Sequence, residues 1–442
     1  MEKTSVHEIA YCLKAIQKVI DAPINKISTD SRNISSKTLF IALKGEHFDG
    51  HDFVSEVIQK GCPAAVVSHY IEGVPTERQI LVEDTLKAYG TIGAFNRSKF
   101  KGIVIGITGS AGKTTTKEEI AFLLSHFGRC YASKGNHNNM VGVPETLCNM
   151  DMKAEYAVIE MGMSAPGEIS YLSKLVSPDI AVITNIYPMH IEFFKNLEGI
   201  ARAKAEIFEG FKDSSGIAIY NEDSDYSELL GFLANAYTDN VITYGKYSHP
   251  LCAFTTANEG IQYKYNAWCA LTVINAMGLD ENKAAKYIKE FEALPGRGKK
   301  YELTFDKGKY TLIDDSYSGQ PESMILAIKN LHQSQTKGRK IVVLGKMAEL
   351  GQTSKARHEE VGKILAASNI NIIVGVCPEM KDMLAQLPTD KEQYYFDNKD
   401  KVAEFLLNKL LQNEDTVLIK GARYSSQMYK VAEQLIEQGI KK

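Results

Sequence analysis

The chain has 442 residues, too many for one ordinary hydrophobic core, so length alone predicts two to four domains. Apolar residues make up 44% and charged residues 24%, the balance of a soluble globular protein. The net charge is −3 and no long basic run occurs, which argues against nucleic acid or an anionic membrane as partner. No run reaches the ~18 apolar residues of a membrane span. The N-terminal "MEKTSVHEIAYCLKAIQKVI" reads as an amphipathic helix and lacks the apolar core and cleavage site of a signal peptide. Seven cysteines are scattered singly without a C-x-x-C pair, which predicts free thiols in a reducing cytosol.

In chain order, the first ~100 residues offer the short strands "KTLFIAL", "AAVVS" and "QILVE" between helical patterns. A link at "NRSKFKG" leads into the strand "IVIGIT" and the glycine loop "GSAGKTTT". Strands and helices then alternate: "YAVIEMG", "IAVITNI", a helix from about Leu197 to Phe211, "GIAIYN", "VITYG", and a helix from about Ala267 to Met277. Such alternation predicts βαβ units and a mostly parallel sheet. After "LPGRGKK" a second series begins: "YTLIDDSY", a helix from about Glu322, "KIVVLG", a helix from about Ser354, "INIIVGV", "TVLIKG" and a last helix. That predicts a second doubly wound unit, and three α/β domains in all.

The strict phosphate-loop pattern wants glycine six residues before its lysine, and that position is Ile107. What stands here is Gly109, Ser110, Ala111, Gly112, Lys113, Thr114 and Thr115, after a strand and before a helix. The two glycines permit a tight turn with inward N–H groups, and the helix N-terminus adds partial positive charge. Lys113 then reaches the β- and γ-phosphates of a nucleoside triphosphate and Thr114 offers a hydroxyl to Mg²⁺. Glu160 closes the strand "YAVIE", which places its carboxylate at the carboxyl edge of a parallel sheet, where ligands collect. His190 follows "AVITN" at a similar edge, and Lys204 sits in the helical "ARAKAEIF". Taken alone, a histidine after a strand is usually a surface residue and a helical lysine is usually solvated, so the residues by themselves give neither a role.

The segments "TGSAGKTTTKE", "GNHNNMVGVPETL", "EMGMSAPGEI", "NIYPMHIEFFKNLEGIARAKAEIF", "DDSY", "KMAELG" and "IKGARYS" together resemble, in order and spacing, the Mur ligases. These are cytoplasmic ATP-dependent amide-forming enzymes of peptidoglycan precursor synthesis. The resemblance spans essentially the whole chain, and "STDSRNISSKTLFIALKGEHFDGHDF" resembles the family's uridine-nucleotide domain. It implies a small α/β uridine-nucleotide domain at 1–98, a central ATP-binding domain with a parallel sheet at 99–298, and a Rossmann-like domain at 299–442. "NNMVGVPETL", "GEI" and "MAELG" most resemble the member that joins D-alanyl-D-alanine to UDP-N-acetylmuramoyl-tripeptide. ATP and those two small molecules are therefore the implied partners of a chain expected to act as a monomer.

By the same resemblance, Lys113 cradles phosphates, Thr114 and Glu160 hold one Mg²⁺, and His190 is a ligand of a second. Lys204 corresponds to a lysine that reacts with CO₂ to become a carbamate, an anion suited to a site with two Mg²⁺. Asn266 and Arg297 are implied nucleotide contacts, and Asp314 or Asp315 the acid on the ribose. Ser31, Arg32 and Lys44 are implied in uridine-substrate binding, Asn136 and Asn139 in a loop near substrate and phosphates. Lys420, Arg423 and His358 are placed near the amine substrate or nucleotide. The expected chemistry is transfer of the γ-phosphoryl group to a carboxylate, giving an acyl phosphate that the amine attacks. Closure of the third domain over the central one is expected to keep water out.

Three departures from the family's pattern stand out. Ser318-Gly319-Gln320 follows the tyrosine of "DSY" where Asn-Ala-Asn is usual, Lys346 replaces an aspartate, and Trp268 stands where a small residue is more usual. None touches the phosphate and metal set. The competing readings are a ligase of the same superfamily with another amine substrate, and a catalytically degenerate nucleotide-binding homologue. The uridine-domain-like N-terminus argues against a folylpolyglutamate synthase, and the lack of an Asp-x-Pro-Arg motif against the member adding diaminopimelate or lysine. Lys113, Thr114, Glu160, His190 and Lys204 together argue against degeneracy.

Overall fold

A computed structural model describes residues 3–188, 193–248, 250 and 252–440. The chain divides into two compact units, one of residues 1–186, 198–252 and 268–284, the other of 187–197, 253–267 and 285–442.

The first unit contains two large sheets. A four-stranded parallel sheet runs Lys26–Ser28, Thr38–Ile41, Ala64–Val67 and Gln79–Leu81. The N-terminal helix is shorter than the sequence pattern predicts. It covers only Val6–Cys12, started by a capping box in which Ser5 accepts from the Glu8 N–H. Past it Lys14 takes a left-handed φ of 56°, which a helix cannot continue. Helix Thr85–Lys99 ties this sheet to the central part of the chain. The Asn96 amide donates to Leu147 O at 2.7 Å, and buried Arg97 donates to Val176 O at 2.8 Å and Ser177 O at 2.9 Å.

The second large sheet of this unit has six parallel strands in the order Asn240–Tyr244, Ile217–Asn221, Ile180–Ile183, Ile103–Thr108, Tyr156–Glu160, Cys130–Ala132. Its central strands read as near-continuous apolar runs because helices cover both faces. The chain enters at Ile103–Thr108 and later strands fall on both sides of it, so the strand order reverses at its carboxyl end, where ligands bind in open α/β sheets. The edge strand Cys130–Ala132 carries no legible sequence signal, since three half-buried residues show neither alternation nor a long apolar run.

The second unit holds a six-stranded sheet ordered Lys299–Phe305, Gly308–Asp315, Thr416–Lys420, Lys340–Gly345, Ile372–Val376, Glu392–Phe396. Lys299–Phe305 is antiparallel and the rest are parallel. Neither outer strand is evident from the sequence pattern, because each is polar or half-exposed along much of its length. The predicted helices at Glu322 and Ser354 are Pro321–Gln333 and Ser354–Ala366.

Candidate active site

Strand Ile103–Thr108 delivers the glycine loop to the point where the strand order reverses. Ile107, the residue that spoils the strict motif, is fully buried inside the strand, so the turn begins two residues later at Gly109. Gly109 has φ 148°, and a Cβ there would come within 1.9 Å of Thr184 Oγ1. Gly112 has φ 78° and immediately precedes helix Lys113–Leu124. The loop is held from the next strand. Thr184 Oγ1 and Asn185 Nδ2 donate to Ala111 O at 2.7 and 3.0 Å. The Ser110 N–H donates to Asn185 O at 2.9 Å and the Ala111 N–H to Asn185 Oδ1 at 2.7 Å. Lys113 Nζ donates to Gly109 O at 2.8 Å and Ser110 O at 3.3 Å. Thr114 and Thr115 are buried in the first turn of the helix.

Glu160 ends the neighbouring strand and is 1% exposed. Its N–H donates to Ser133 Oγ at 3.1 Å, and its Oε1 accepts from Asn138 Nδ2 at 2.7 Å. Its Oε2 is buried and has no partner among the described residues. A buried carboxylate oxygen left bare is costly unless a ligand completes it. A hard divalent cation, which takes oxygen ligands, suits it.

Lys204, on helix Leu197–Ala205, is 3% exposed. Burial and then the charge of Lys113 push its amine well below the usual lysine range. An amine so placed is readily neutral and nucleophilic, as reaction with CO₂ requires. Just past it, Glu206 accepts from the Gly167 N–H at 2.9 Å and the Ser170 N–H at 3.1 Å. The end of the Lys204 helix is thereby tied to the segment that comes after Glu160. His190 lies outside the described residues. Among the described residues no three His, Cys, Asp or Glu side chains form a metal cage.

Of the asparagines in "GNHNNM", Asn136 is exposed, and Asn139 Oδ1 accepts from the Val141 and Gly142 N–H groups at 3.2 and 2.9 Å ahead of helix Gly142–Cys148. The one that reaches Glu160 is Asn138, which the sequence motifs do not single out. In the four-stranded sheet, Ser31, Arg32 and Lys44 all come after the carboxyl ends of parallel strands. Arg32 grips Asp30 through Nε at 2.9 Å and Nη2 at 3.0 Å, which pulls that carboxyl down to about 2, and Lys44 lies 3.9 Å from Asp49.

In the second unit a further set meets at the carboxyl edge of its sheet. Fully buried Lys420 donates to Asp315 Oδ2 at 2.7 Å across adjacent strands. Burial still holds the Asp315 carboxyl above its ordinary range, against the pull of Lys420. Asp314 points to the turn at 296–298 and accepts from the Gly296 N–H at 2.7 Å and Ser316 Oγ at 2.5 Å. Of the two acids, Asp314 is thus committed to that turn. Arg297 and Arg423 lie over the Tyr317 ring at 4.0 and 5.2 Å, and Arg423 also over Tyr429 at 4.5 Å. Asn266 lies on helix Ile261–Ala276, one turn beyond Gln262, which accepts from Asn330 at 3.0 Å.

His358 is fully buried, with Nδ1 donating to Ser354 O at 2.8 Å and Nε2 accepting from the Met347 N–H at 3.2 Å. Both ring nitrogens are therefore engaged, and this histidine shapes the 345–350 loop rather than presenting a nitrogen to a substrate. Lys346 pairs with Glu379 at 3.0 Å. Gly319, where the family pattern has alanine, leaves no room for a Cβ: one would meet Ala422 N at 2.2 Å.

Comparison with known proteins covers the chain in three pieces. Residues 23–93 match the Mur ligase family catalytic domain, 107–273 the Mur ligase middle domain, and 301–423 the Mur ligase glutamate ligase domain. The chain is 34% identical to a UDP-N-acetylmuramoyl-tripeptide–D-alanyl-D-alanine ligase of Buchnera aphidicola, over 94% of this chain and 93% of that one. It is 33% identical to the Bacillus subtilis enzyme of the same name, over 99% of both. Among solved structures, MurF from Acinetobacter baumannii superposes with a TM-score of 0.87 at 28% identity, over 99% of each chain. MurF from Thermotoga maritima in complex with ADP does so with a TM-score of 0.80 at 26% identity, over 94% of this chain and 98% of that one. Similarity of this strength runs from end to end on both partners, through the glycine loop and both six-stranded sheets, and the chain belongs to the Mur ligase family.

Proposed function

We propose that this chain is the cytoplasmic, monomeric ligase that joins D-alanyl-D-alanine to UDP-N-acetylmuramoyl-tripeptide at the expense of ATP, with domains at 1–98, 99–298 and 299–442. The observation that carries the reading is the bare, buried Oε2 of Glu160 at the same sheet edge as the glycine loop, with buried Lys204 on the helix that Glu206 ties to the segment after Glu160. In this reading the loop N–H groups and Lys113 bind the phosphates, and Thr114 and Glu160 hold one Mg²⁺. His190 and a carbamylated Lys204 serve a second ion. Such ions supply charge neutralisation on the transferred phosphoryl group.

The γ-phosphoryl group passes to the carboxylate of the tripeptide nucleotide, forming a P–O bond as ADP leaves. The neutral dipeptide amine attacks the carbonyl carbon of the resulting acyl phosphate. A C–N bond forms, the C–O bond to the phosphate breaks with its electron pair leaving on inorganic phosphate, and the nitrogen gives up a proton to solvent. Lys113 tracks the charge on the moving phosphoryl oxygens, and the Thr184 and Asn185 contacts keep its loop from rearranging. Arg297, Asp315, Lys420 and Arg423 are assigned to the nucleotide or the amine substrate, with Asn266 on the nucleotide side. Ser31, Arg32 and Lys44 are assigned to the uridine nucleotide.

The test is phosphate release with ATP, Mg²⁺ and the tripeptide nucleotide, with and without the dipeptide, and product identification by mass. Release that needs both substrates, with a product heavier by the dipeptide less water, supports the reading. Release with another amine alone keeps the ligase and moves the substrate, the outcome that Lys346 in place of an acid would favour. A carbamate carbon signal from ¹³CO₂ that disappears in Lys204→Arg tests the lysine.

A further inference from the structure

We propose that Asn138 is the positioning residue for Glu160, holding one carboxylate oxygen so that the other faces a divalent cation. The inference rests on the proposed role of Glu160 as a metal ligand. A buried carboxylate without a donor can rotate and share its charge between two orientations. Here the rotation is blocked: Asn138 Nδ2 donates to Oε1 at 2.7 Å, which leaves Oε2 as the bare atom.

Asn138 is itself fixed from three sides. Its carbonyl accepts from the Gly162 N–H at 2.7 Å, just beyond Glu160, and its own N–H donates to Asn136 O at 2.8 Å. Gly162 leaves the space the amide fills, since a Cβ there would lie 2.9 Å from Asn138 Oδ1. The segment leading to it is anchored by Lys117, fully buried on the helix that starts at the glycine loop. Lys117 Nζ donates to Ser133 O at 2.5 Å and Gly135 O at 3.0 Å, and it pairs with Glu118 at 2.7 Å. Ser133 Oγ in turn accepts from the Glu160 N–H. A continuous set of contacts thus runs from the phosphate-loop helix through residues 133–138 to the carboxylate. It places the phosphate site and the cation ligand in one frame, as outer-shell partners of metal ligands do.

The experiment measures Mn²⁺ binding by electron paramagnetic resonance in the presence of ADP, alongside kcat, the KM for dipeptide and the thermal midpoint. The proteins are the native chain, Asn138→Leu, Asn138→Ser and Glu160→Gln. Asn138→Leu is expected to weaken Mn²⁺ binding about 10- to 100-fold and to lower kcat while the dipeptide KM stays unchanged. Asn138→Ser, whose shorter hydroxyl can still donate, should fall in between, and it serves alone if the leucine variant does not fold. Mn²⁺ affinity within about twofold of native in a folded Asn138 variant, with Glu160→Gln deficient, overturns the positioning role. Native Mn²⁺ binding by Glu160→Gln overturns the metal-ligand reading itself, a result that the Asn138 variants cannot produce.

Discussion

Two sheet edges carry the residues assigned to chemistry, and they are built in opposite ways. At the central sheet the glycine loop is a run of consecutive residues, and backbone groups do most of the holding: carbonyls and N–H groups of 109–111 meet Thr184, Asn185 and Lys113. At the C-terminal sheet the assigned residues come from segments far apart in sequence, and side chains hold one another. Lys420 meets Asp315 from an adjacent strand, and Arg297 and Arg423 share the Tyr317 ring. A backbone cradle tolerates little change in residue type because it depends on φ and on the absence of Cβ atoms. A side-chain cluster tolerates paired changes, because what it needs is complementary charge and volume.

The sharpest break of that contrast is Gly109→Ala. A Cβ forced against Thr184 Oγ1 at φ 148° should cost about 4 kcal/mol in loop distortion, on the order of a thousandfold in nucleotide affinity. Titration calorimetry with ADP and Mg²⁺ checks it, and unchanged affinity would show that the loop is softer than its contacts imply.

Behind that loop, Glu119 on the same helix is 3% exposed, and burial pushes its carboxyl up from 4.5 to about 8. A raised carboxyl means that its contribution is fully present below about pH 4.5, falls progressively as pH rises from there, and is fully lost once pH has passed about 8. Glu119→Gln should therefore gain roughly 3 kcal/mol at about pH 7 and almost nothing at about pH 4.5. Urea melts at the two pH values decide it, and an equal gain at both would remove titration as the cause.

At the other edge, Lys420→Met leaves Asp315 without its cation. Since Asp315 keeps 22% of its side-chain surface exposed, the loss should be about 2 kcal/mol, less than for a fully buried pair. Adding Asp315→Leu should recover most of it, the behaviour expected of a side-chain cluster and not of a backbone cradle. The smallest effect belongs to Tyr317→Leu, where loss of two half-exposed cation–π contacts should cost about 1 kcal/mol, read from denaturant melts. A drop several times larger would mean that the tyrosine is a keystone and not a shared surface.

Much of the central site is legible in the sequence because its determinants are local. Strand, glycines, lysine and threonine succeed one another within a short run, and a carboxylate ending an apolar strand must emerge at a sheet edge. Asn138 is not legible, since the neighbouring asparagines at 136 and 139 are chemically alike. Only the position of Gly162 and Ser133 around Glu160 separates the one that donates to it from the one whose amide oxygen accepts from the N–H groups of Val141 and Gly142. Glu206 hides for a similar reason: a glutamate after a helix gives no sign that it will accept N–H groups from residues 167 and 170.

By itself the sequence determined the α/β alternation, the glycine loop and the family, because periodicity and consecutive motifs record short-range geometry. Tertiary structure alone decided which aspartate of the pair at 314–315 faces Lys420, that His358 spends both ring nitrogens inside the protein, and that Gly319 lies against Ala422. Those outcomes depend on strand register and on the approach of segments distant in the chain, separations over which a local pattern carries no information about contact.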